Sequence, residues 1–310
     1  MSGACPIANC PINTSHPCTR LETIDVDVLV HAARRDMQLE IASEFGDLKT
    51  LERWCCDSCR LIFFTPWQAG SKEFYSTLSA HSWYQPDDKW EYQAATDFIG
   101  SGARILDIGC GDGRFHQSLP SVDYTGLETS MADESRTLTE KAQILNQPLN
   151  LHATASPESY DCVCAFQVLE HVVEPRQFVE QALRCLRPKG KLILGMPNHE
   201  SYLGGLMNFA LNSPPHHLSW WSDRALSALE EELGLTRIAL RYAPLEDWER
   251  DLYRMQRLYN HALPEVERYS TKTSWRWRIP AAYLCGKVTG GFTNKATLIQ
   301  GSTMLWVATR

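Results

Sequence analysis

The stretch RILDIGCGDG, residues 104–113, decides the fold, because an apolar run leads directly into a loop with glycine at every second position. Glycine lacks a Cβ, so the backbone of such a loop can approach a ligand closely. The N–H groups in the first turn of a following helix point into the same space. The stretch therefore predicts a strand, a binding loop and a helix at the carboxyl edge of a parallel sheet.

The spacing of the glycines separates two classes of cofactor. Dinucleotide-binding folds place the third glycine one residue later, as GxGxxG, and bind a pyrophosphate there. The glycines here are Gly109, Gly111 and Gly113, with Cys110 between the first two, and Asp107 precedes them. A methionine moiety carries an ammonium group that Asp107 can serve directly or through water.

A second acidic residue, Glu128, lies at the tip of the next predicted strand. A carboxylate there can accept hydrogen bonds from both hydroxyls of a ribose. Strand, Asp107, spaced glycines and Glu128 together predict a site for S-adenosylmethionine (SAM). A nicotinamide cofactor and a relic loop without a ligand are the alternatives.

Short apolar strands alternate with amphipathic helices on both sides of this loop, which is typical of an α/β fold with a doubly wound, Rossmann-like, mostly parallel sheet. Strands are predicted at 104–108, 123–127, 160–166, 191–196, 236–242 and 302–308, with residues 149–155 in the place of the third of seven strands. Pro175 is expected in the first turn of one helix and Gly190 at its end. A second helix is expected over 223–233, with Ser222 as N-cap and Gly234 closing it.

The composition along the chain indicates four regions. Residues 1–90 are rich in cysteine and aromatic residues and could hold zinc. Residues 91–244 form the expected SAM-binding core. Residues 245–297 are expected to be a helical insertion that caps the substrate, and residues 298–310 the last strand of the core.

Several motifs beyond the loop make a resemblance specific. They are FQVLEHVVEP (166–175), LRPKGK (186–191), MPN (196–198) and PPHHLSWWS (214–222). With them the chain resembles class I SAM-dependent methyltransferases, within the small-molecule group typified by quinone and sugar methyltransferases. The resemblance implies SAM as cofactor and Gln167 as a residue that lines it.

The N-terminal block resembles a bacterial subgroup that carries a cysteine-rich region ahead of this core; the matching segments are LIFFTP (61–66) and KWE (89–91).

Two features of the cofactor site depart from the family. An acidic residue after strand three often holds the adenine amino group, but residues 149–155 are followed by Ser-Pro-Glu, so no adenine contact is assigned. At the position that binds the ribose, this chain has Glu128 where the family more often has aspartate. Either carboxylate can accept hydrogen bonds from the ribose hydroxyls.

Methyl transfer is an in-line displacement, so much of the acceleration can come from positioning the acceptor. A hydroxyl acceptor also needs a base, and the pKa of histidine suits that role. His216 and His217 are the candidates, since their loop follows the fifth strand, and they could equally fix that loop to the core. His171 is a third candidate, although in this family the pair Glu170-His171 more often shapes the methionine end of the site.

Six of the eleven cysteines lie before residue 60, which in a chain without a secretion signal predicts a metal site before a disulfide. Cys56-x-x-Cys59 has the spacing of half a zinc site. The resemblance places another such pair near the start, but Cys10 is followed by Asn13 where the second cysteine would stand. Cys5, Cys18 or His16 could supply the missing ligand, and packing alone around a decayed site is the alternative.

The C-terminal motif WRWR, residues 275–278, permits two interpretations. Tryptophan and arginine could stack on and clamp an anionic acceptor such as a nucleotide-linked sugar. Alternatively, the tryptophans pack inward on a helix or strand while the arginines stay in water.

Composition narrows the function classes. With 44% hydrophobic and 22% charged residues and no apolar run of the length of a membrane span, a soluble, cytoplasmic protein is expected. A formal net charge of −7 argues against nucleic acid as the partner and for a small-molecule substrate. The leading hypothesis is a SAM-dependent methyltransferase acting on a hydroxyl of a bacterial metabolite or sugar. An RNA base methyltransferase and a non-catalytic SAM-binding regulatory or scaffold protein are the alternatives.

Overall fold

The computed structural model describes residues 8–81, 84, 89–119, 121–131, 134–260, 268–270, 284 and 300–310. In chain order the elements are β1 Cys18–Asp25, α1 Val26–Asp36, α2 Ala42–Phe45, β2 Thr50–Cys56, β3 Ile62–Thr65, α3 Lys72–Ser79, α4 Trp90–Thr96, β4 Arg104–Ile108, α5 Arg114–Gln117, β5 Asp123–Leu127, β6 Ser135–Thr139, β7 Ala142–Leu145, α6 Leu149–Ala155, β8 Tyr160–Phe166, α7 Pro175–Cys185, β9 Leu186–Pro197, β10 Ser219–Trp220, α8 Asp223–Leu233, β11 Thr236–Pro244, α9 Arg250–Asn260 and β12 Gln300–Thr309. None of the helices in these ranges is long and apolar enough to span a bilayer.

The chain divides into two compact units. The first comprises Met1–Phe74, Asn198–Leu226 and Pro244–Ser302, and the second comprises Tyr75–Pro197, Ser227–Ala243 and Thr303–Arg310.

The second unit contains most of a large sheet with the strand order β11-β12-β9-β8-β4-β5-β7-β6. Strands β9, β8, β4, β5 and β7 run parallel to one another, whereas β12 at one side is antiparallel to β9. The central strands are almost continuously apolar because both faces are covered. Their side chains share a core with Phe115 and Tyr92. The predicted doubly wound α/β fold is confirmed.

Predicted strands agree with β4, β5 and β8 at both ends, and helix α8 has the predicted bounds. Pro175 is the first residue of α7. The Ser222 hydroxyl accepts a hydrogen bond from the Ala225 amide, and Gly234 has a φ of +63° just beyond α8. These termini follow their local capping signals.

Three predictions about this sheet are wrong. Within the described residues the sheet has eight strands rather than seven, because β6 forms an antiparallel hairpin with β7 at the edge. Residues 149–155 form helix α6, and the third parallel strand is β7. The buried residues Leu149, His152 and Ala153 in α6 have helical spacing, which the prediction overlooked.

The third wrong prediction concerns Gly190, which does not end a helix. Helix α7 ends at Cys185, and Gly190 lies inside β9. A Cβ there would come within 2.9 Å of the carbonyl oxygen of Arg187 and within 3.1 Å of that of Asp161 on β8, so the glycine permits a close approach of the two strands.

The first unit contains a four-stranded sheet in the order β1-β2-β3-β10. Ser219 and Trp220 of β10 pair with Phe63 and Ile62 of β3, and residues 198–226 therefore cluster with the N-terminal residues. The predicted core, residues 91–244, included this segment, so the structure groups the chain differently. Helix α9 lies within the predicted insertion, much of which falls outside the described residues.

Candidate functional site

The glycine loop begins where β4 ends at the centre of the large sheet. Gly109, Gly111 and Gly113 have φ values of +69°, +56° and +85°, a region that other residues rarely adopt. A Cβ on Gly109 would lie 2.7 Å from Cγ2 of Val168. The loop thus depends on glycine for both conformation and space. The following helix, α5, is a single turn, Arg114–Gln117.

Asp107, the residue before the loop, is 2% exposed. The hydroxyl of Tyr124 donates a 2.6 Å hydrogen bond to its Oδ2 atom, while Oδ1 is buried and has no hydrogen-bond partner among the described residues. Burial raises the pKa of Asp107 to about 7, and the hydrogen bond from Tyr124 opposes that rise. An unpaired buried carboxylate oxygen is costly and calls for a donor. Asp107 therefore fits a cationic group such as an ammonium.

Glu128 follows β5, the strand next to β4, and its carboxylate reaches the glycine loop. Its Oε2 atom accepts a 3.0 Å hydrogen bond from the Gly111 amide, and its Oε1 atom accepts a 2.9 Å bond from the Ser130 amide. Because a carboxylate oxygen can accept further hydrogen bonds, ribose hydroxyls can bind here. The structure thus brings Asp107, the glycines and Glu128 to one edge of the sheet.

The side chain of Cys110 is directed away from this ligand edge. Cys110 is 8% exposed, and its thiol occupies the space in which a side chain at Gly126 would lie. Burial raises the pKa of this thiol above its usual range. The thiol is therefore a packing group, and only the backbone of Cys110 belongs to the loop.

Gln167, at the end of β8, has a φ of +57°, which is strained for a residue with a side chain. Its Nε2 atom donates a 3.2 Å hydrogen bond to Oε1 of Glu91, a carboxylate that is 5% exposed. Two hydrogen-bond partners were not predicted from the sequence: Tyr124 as the partner of Asp107 and Glu91 as the partner of Gln167. The signal for Tyr124 was its place on the strand parallel to β4, whereas nothing in the sequence linked Glu91 to Gln167.

Glu170 and His171 form a turn after β8 in the second unit. Glu170 is 1% exposed, and within the part of the chain that the structure describes neither of its carboxylate oxygens has a hydrogen-bond partner. Burial raises its pKa to about 8. The Nε2 atom of His171 lies 3.7 Å from Oε1 of Glu170 and forms an ion pair with it only when the imidazole is protonated. The Nδ1 atom of His171 lies 3.2 Å from the hydroxyl of Tyr75.

His216 and His217 lie in the first unit and are 5% and 8% exposed. Their rings stack with centroids 4.4 Å apart. The Nδ1 atom of His216 is 2.9 Å from the carbonyl oxygen of Leu211, and that of His217 is 3.0 Å from Oδ1 of Asn212. Both partners are acceptors, so each Nδ1 carries the proton and each Nε2 is the basic nitrogen.

The cysteine-rich region brings three of the predicted metal ligands together. Cys10, Cys56 and Cys59 form a buried group with His16, and all four ligand atoms lie within 4.8 Å of one another. The two thiols of Cys10 and Cys59 share a hydrogen bond of 3.5 Å, which lowers the pKa of Cys10. Cys5 and the segment 275–278 lie outside the described residues.

A family model described as a methyltransferase domain matches residues 78–240. The chain is 34% identical over 109 residues to an uncharacterized 37.1 kDa protein from a transposon of Streptomyces fradiae, a match that covers 32% of each chain. It is 33% identical over 106 residues to the mitochondrial ubiquinone biosynthesis O-methyltransferase of Schizosaccharomyces pombe, covering 30% of this chain and 38% of that one. The chain thus spans about a third of the length of these curated relatives.

Among solved structures, a SAM-dependent methyltransferase from Thermotoga maritima is similar to this chain. The TM-score is 0.45 at 17% sequence identity, and the match covers 77% of this chain and 96% of the other.

Proposed function

We propose, on the premise that this chain belongs to the family of methyltransferase domains, that it transfers a methyl group from SAM to a small-molecule acceptor. The acceptor group is a hydroxyl of a bacterial metabolite or sugar. When bound, SAM supplies an electrophilic methyl group on a sulfonium. The protein's own residues bind the cofactor, orient the acceptor and remove a proton.

The observation that carries this proposal is the unpaired Oδ1 atom of Asp107 beside the glycine loop. An ammonium group at Oδ1 satisfies the buried oxygen and stabilises the ionised carboxylate, whose pKa burial raises to about 7. Tyr124 fixes the other oxygen and thereby orients the carboxylate. A pyrophosphate would bring negative charge to the same carboxylate, which disfavours a dinucleotide.

Glu128 and Gln167 complete the cofactor side of the proposal. Glu128 binds the ribose hydroxyls while it continues to hold the Gly111 amide. Gln167 lines the cofactor, and its bond to Glu91 fixes the amide of its side chain. The strained backbone at Gln167 supports a functional role for this turn, because strain of this kind concentrates at binding sites.

The acceptor class rests on the relatives and on charge. Several curated relatives are named ubiquinone biosynthesis O-methyltransferases, which supports oxygen as the acceptor atom. The formal net charge of −7 disfavours an RNA substrate, whose phosphates bind best to a basic surface. We infer that the substrate is a small molecule.

The proposed base is the imidazole of His216 or His217, with His171 as the alternative. Because the partners of Nδ1 are acceptors, Nδ1 carries the proton and Nε2 carries the basic lone pair, and the two hydrogen bonds fix the plane of each ring. A base that is already oriented loses little entropy when it removes the proton of the acceptor hydroxyl.

Two measurements test the proposed function. Calorimetry of the full chain should show SAM binding, and NADH titrated under the same conditions should show none. Incubation with SAM labelled in the methyl group and an extract of source cells should yield a labelled small molecule by mass spectrometry. SAM binding without any labelled product in such extracts would favour a non-catalytic SAM-binding protein.

A further inference from the structure

A closed set of metal-binding side chains lies in the first unit. Cys10, Cys56 and Cys59 are 0%, 0% and 2% exposed, and His16 joins them. Their three sulfur atoms and one imidazole nitrogen lie within 4.8 Å of one another. Three thiolates and an imidazole form one of the ligand sets of structural zinc sites.

The turn Cys56–Cys59 has the geometry of a metal-binding knuckle. The Cys59 amide donates a 3.3 Å hydrogen bond to Sγ of Cys56. The Arg60 amide donates to the carbonyl oxygen of Cys56, and Arg60 has a φ of +62°. The turn joins β2 to β3, so the sheet of the first unit fixes both cysteines.

The N-terminal half of the set departs from a Cys-x-x-Cys pair, because Asn13 stands where the second cysteine would be. Asn13 instead shapes a turn, since its Oδ1 atom accepts a 2.9 Å hydrogen bond from the Ser15 amide and its carbonyl accepts one of 3.0 Å from the His16 amide. This turn brings the His16 imidazole to the three thiols. Replacement of the cysteine thus comes with a local structure that presents another ligand three residues later.

The Nδ1 atom of His16 is buried and has no hydrogen-bond partner among the described residues. A buried polar atom without a partner is unfavourable. This atom belongs to the same set of close ligand atoms as the three sulfurs. A metal ion bound at Nδ1 would give this buried atom a partner.

The spacing of the sulfurs separates a metal from a disulfide. Sγ of Cys10 and Sγ of Cys59 are 3.5 Å apart. A disulfide requires about 2.05 Å. Two thiolates at about 2.3 Å from one tetrahedral zinc ion lie about 3.8 Å apart.

We propose that Sγ of Cys10, Nδ1 of His16, Sγ of Cys56 and Sγ of Cys59 bind one zinc ion in a closed, structural site. His16 is the ligand that replaces the missing cysteine. The ion ties the segment before β1 to the turn between β2 and β3. Cys18 contacts the site through a 3.7 Å hydrogen bond to the His16 carbonyl and is not a ligand. The proposal is independent of methyl transfer.

The test measures metal content and ligand identity in the full chain, purified without chelators. Elemental analysis should find about one zinc per chain in the wild type and in the controls Cys18→Ser and His31→Ala, and less than about 0.2 in Cys59→Ser. His16→Ala should lose most of the zinc, and His16→Cys should regain it. After exchange for Co²⁺, the visible bands of the wild type should be those of a tetrahedral site with three thiolates and one imidazole. They should shift to four-thiolate bands in His16→Cys.

Three results would overturn the proposal. The first is zinc-free wild type with all cysteines reduced, which means a decayed site. The second is a Cys10–Cys59 disulfide in peptides mapped without reduction. The third is a Co²⁺ spectrum that is the same in the wild type and in His16→Ala, because His16 would then not be a ligand. The spectrum of the wild type alone decides the thiolate count if a variant does not fold.

Discussion

The hydroxyl of Tyr124 on β5 donates a 2.6 Å hydrogen bond to Oδ2 of Asp107 on β4, whereas Oδ1 of that carboxylate has no partner in the described ranges of the chain. The two strands are parallel neighbours, so the contact joins adjacent strands just before the glycine loop. One oxygen is fixed by the protein and the other is kept for a ligand. The first prediction follows from this division.

SAM binding should weaken as the pH falls below about 7, because burial raises the pKa of Asp107 to about 7 and the protonated carboxyl no longer attracts an ammonium. Tyr124→Phe removes a hydrogen bond that lowers this pKa, so the loss of affinity should begin at higher pH in the variant. Calorimetric titrations between about pH 5.5 and 8.5 measure the shift. Tyr160→Phe, which removes a hydroxyl bonded to His152, is the matched control. Identical pH profiles in the wild type and Tyr124→Phe would separate Asp107 from the ammonium site.

The second prediction concerns Glu128. Glu128→Ala should weaken SAM binding by about 1–3 kcal/mol, because two ribose hydroxyls lose a charged acceptor. Glu128→Gln keeps an oxygen for the Gly111 amide and loses the charge, so it should show a smaller loss. Asp123→Ala, an exposed residue at the other end of β5, is the control. Unchanged affinity in a folded Glu128→Ala variant would remove Glu128 from the site.

The third prediction uses the buried carboxylate of Glu170. Its pKa is raised from 4.5 to about 8 by burial, so the folded protein binds a proton there that the unfolded chain releases. The contribution of the Glu170 carboxyl to the free energy of unfolding is complete below about pH 4.5 and is lost as the pH rises through about 8. Glu170→Gln, which cannot ionise, should make the free energy of unfolding less dependent on pH in this window.

Urea unfolding of the wild type and of Glu170→Gln at several pH values between about 5 and 8.5 measures this difference. Glu180→Gln, an exposed residue of α7, should follow the wild type at every pH. Parallel pH curves for the wild type and Glu170→Gln would mean that Glu170 stays ionised when folded. In that case a cationic partner, and not burial, controls its charge.

The sequence predicted the features that depend on local signals. Strand β4, the glycine loop and the acid after β5 combine hydrophobic pattern with residues that only a few conformations accept, and the structure has all three. Helix α8 begins directly after its capping residue Ser222 and ends directly before Gly234, so local signals define both of its ends. These signals act within a few residues, so no tertiary information is needed to interpret them.

The features that were missed depend on tertiary contacts. Residues 149–155 have buried positions at helical spacing, but the place of the third parallel strand is shown only by the pairing of β7 with β5. The hydrogen bonds from Tyr124 to Asp107 and from Gln167 to Glu91 join residues that are distant in sequence. His16 was one of three possible fourth ligands, and the turn at Asn13 distinguishes it from Cys18.

The last prediction separates a catalytic histidine from a structural one. If His216 or His217 is the base, its change to alanine should lower turnover about 10²- to 10⁴-fold, the usual scale for a lost proton transfer. Affinity for SAM should barely change, and in the wild type the rate should fall at acid pH as the imidazole is protonated.

The alternative is that these rings hold their loop in place through Leu211 and Asn212. In that case each alanine variant should lower the melting temperature and weaken cofactor and acceptor binding together. His31→Ala, an exposed histidine of α1, controls for general effects of losing an imidazole. The double variant is needed because the stacked rings can substitute for one another. Full turnover in both single variants and in the double variant would leave His171 as the base to test.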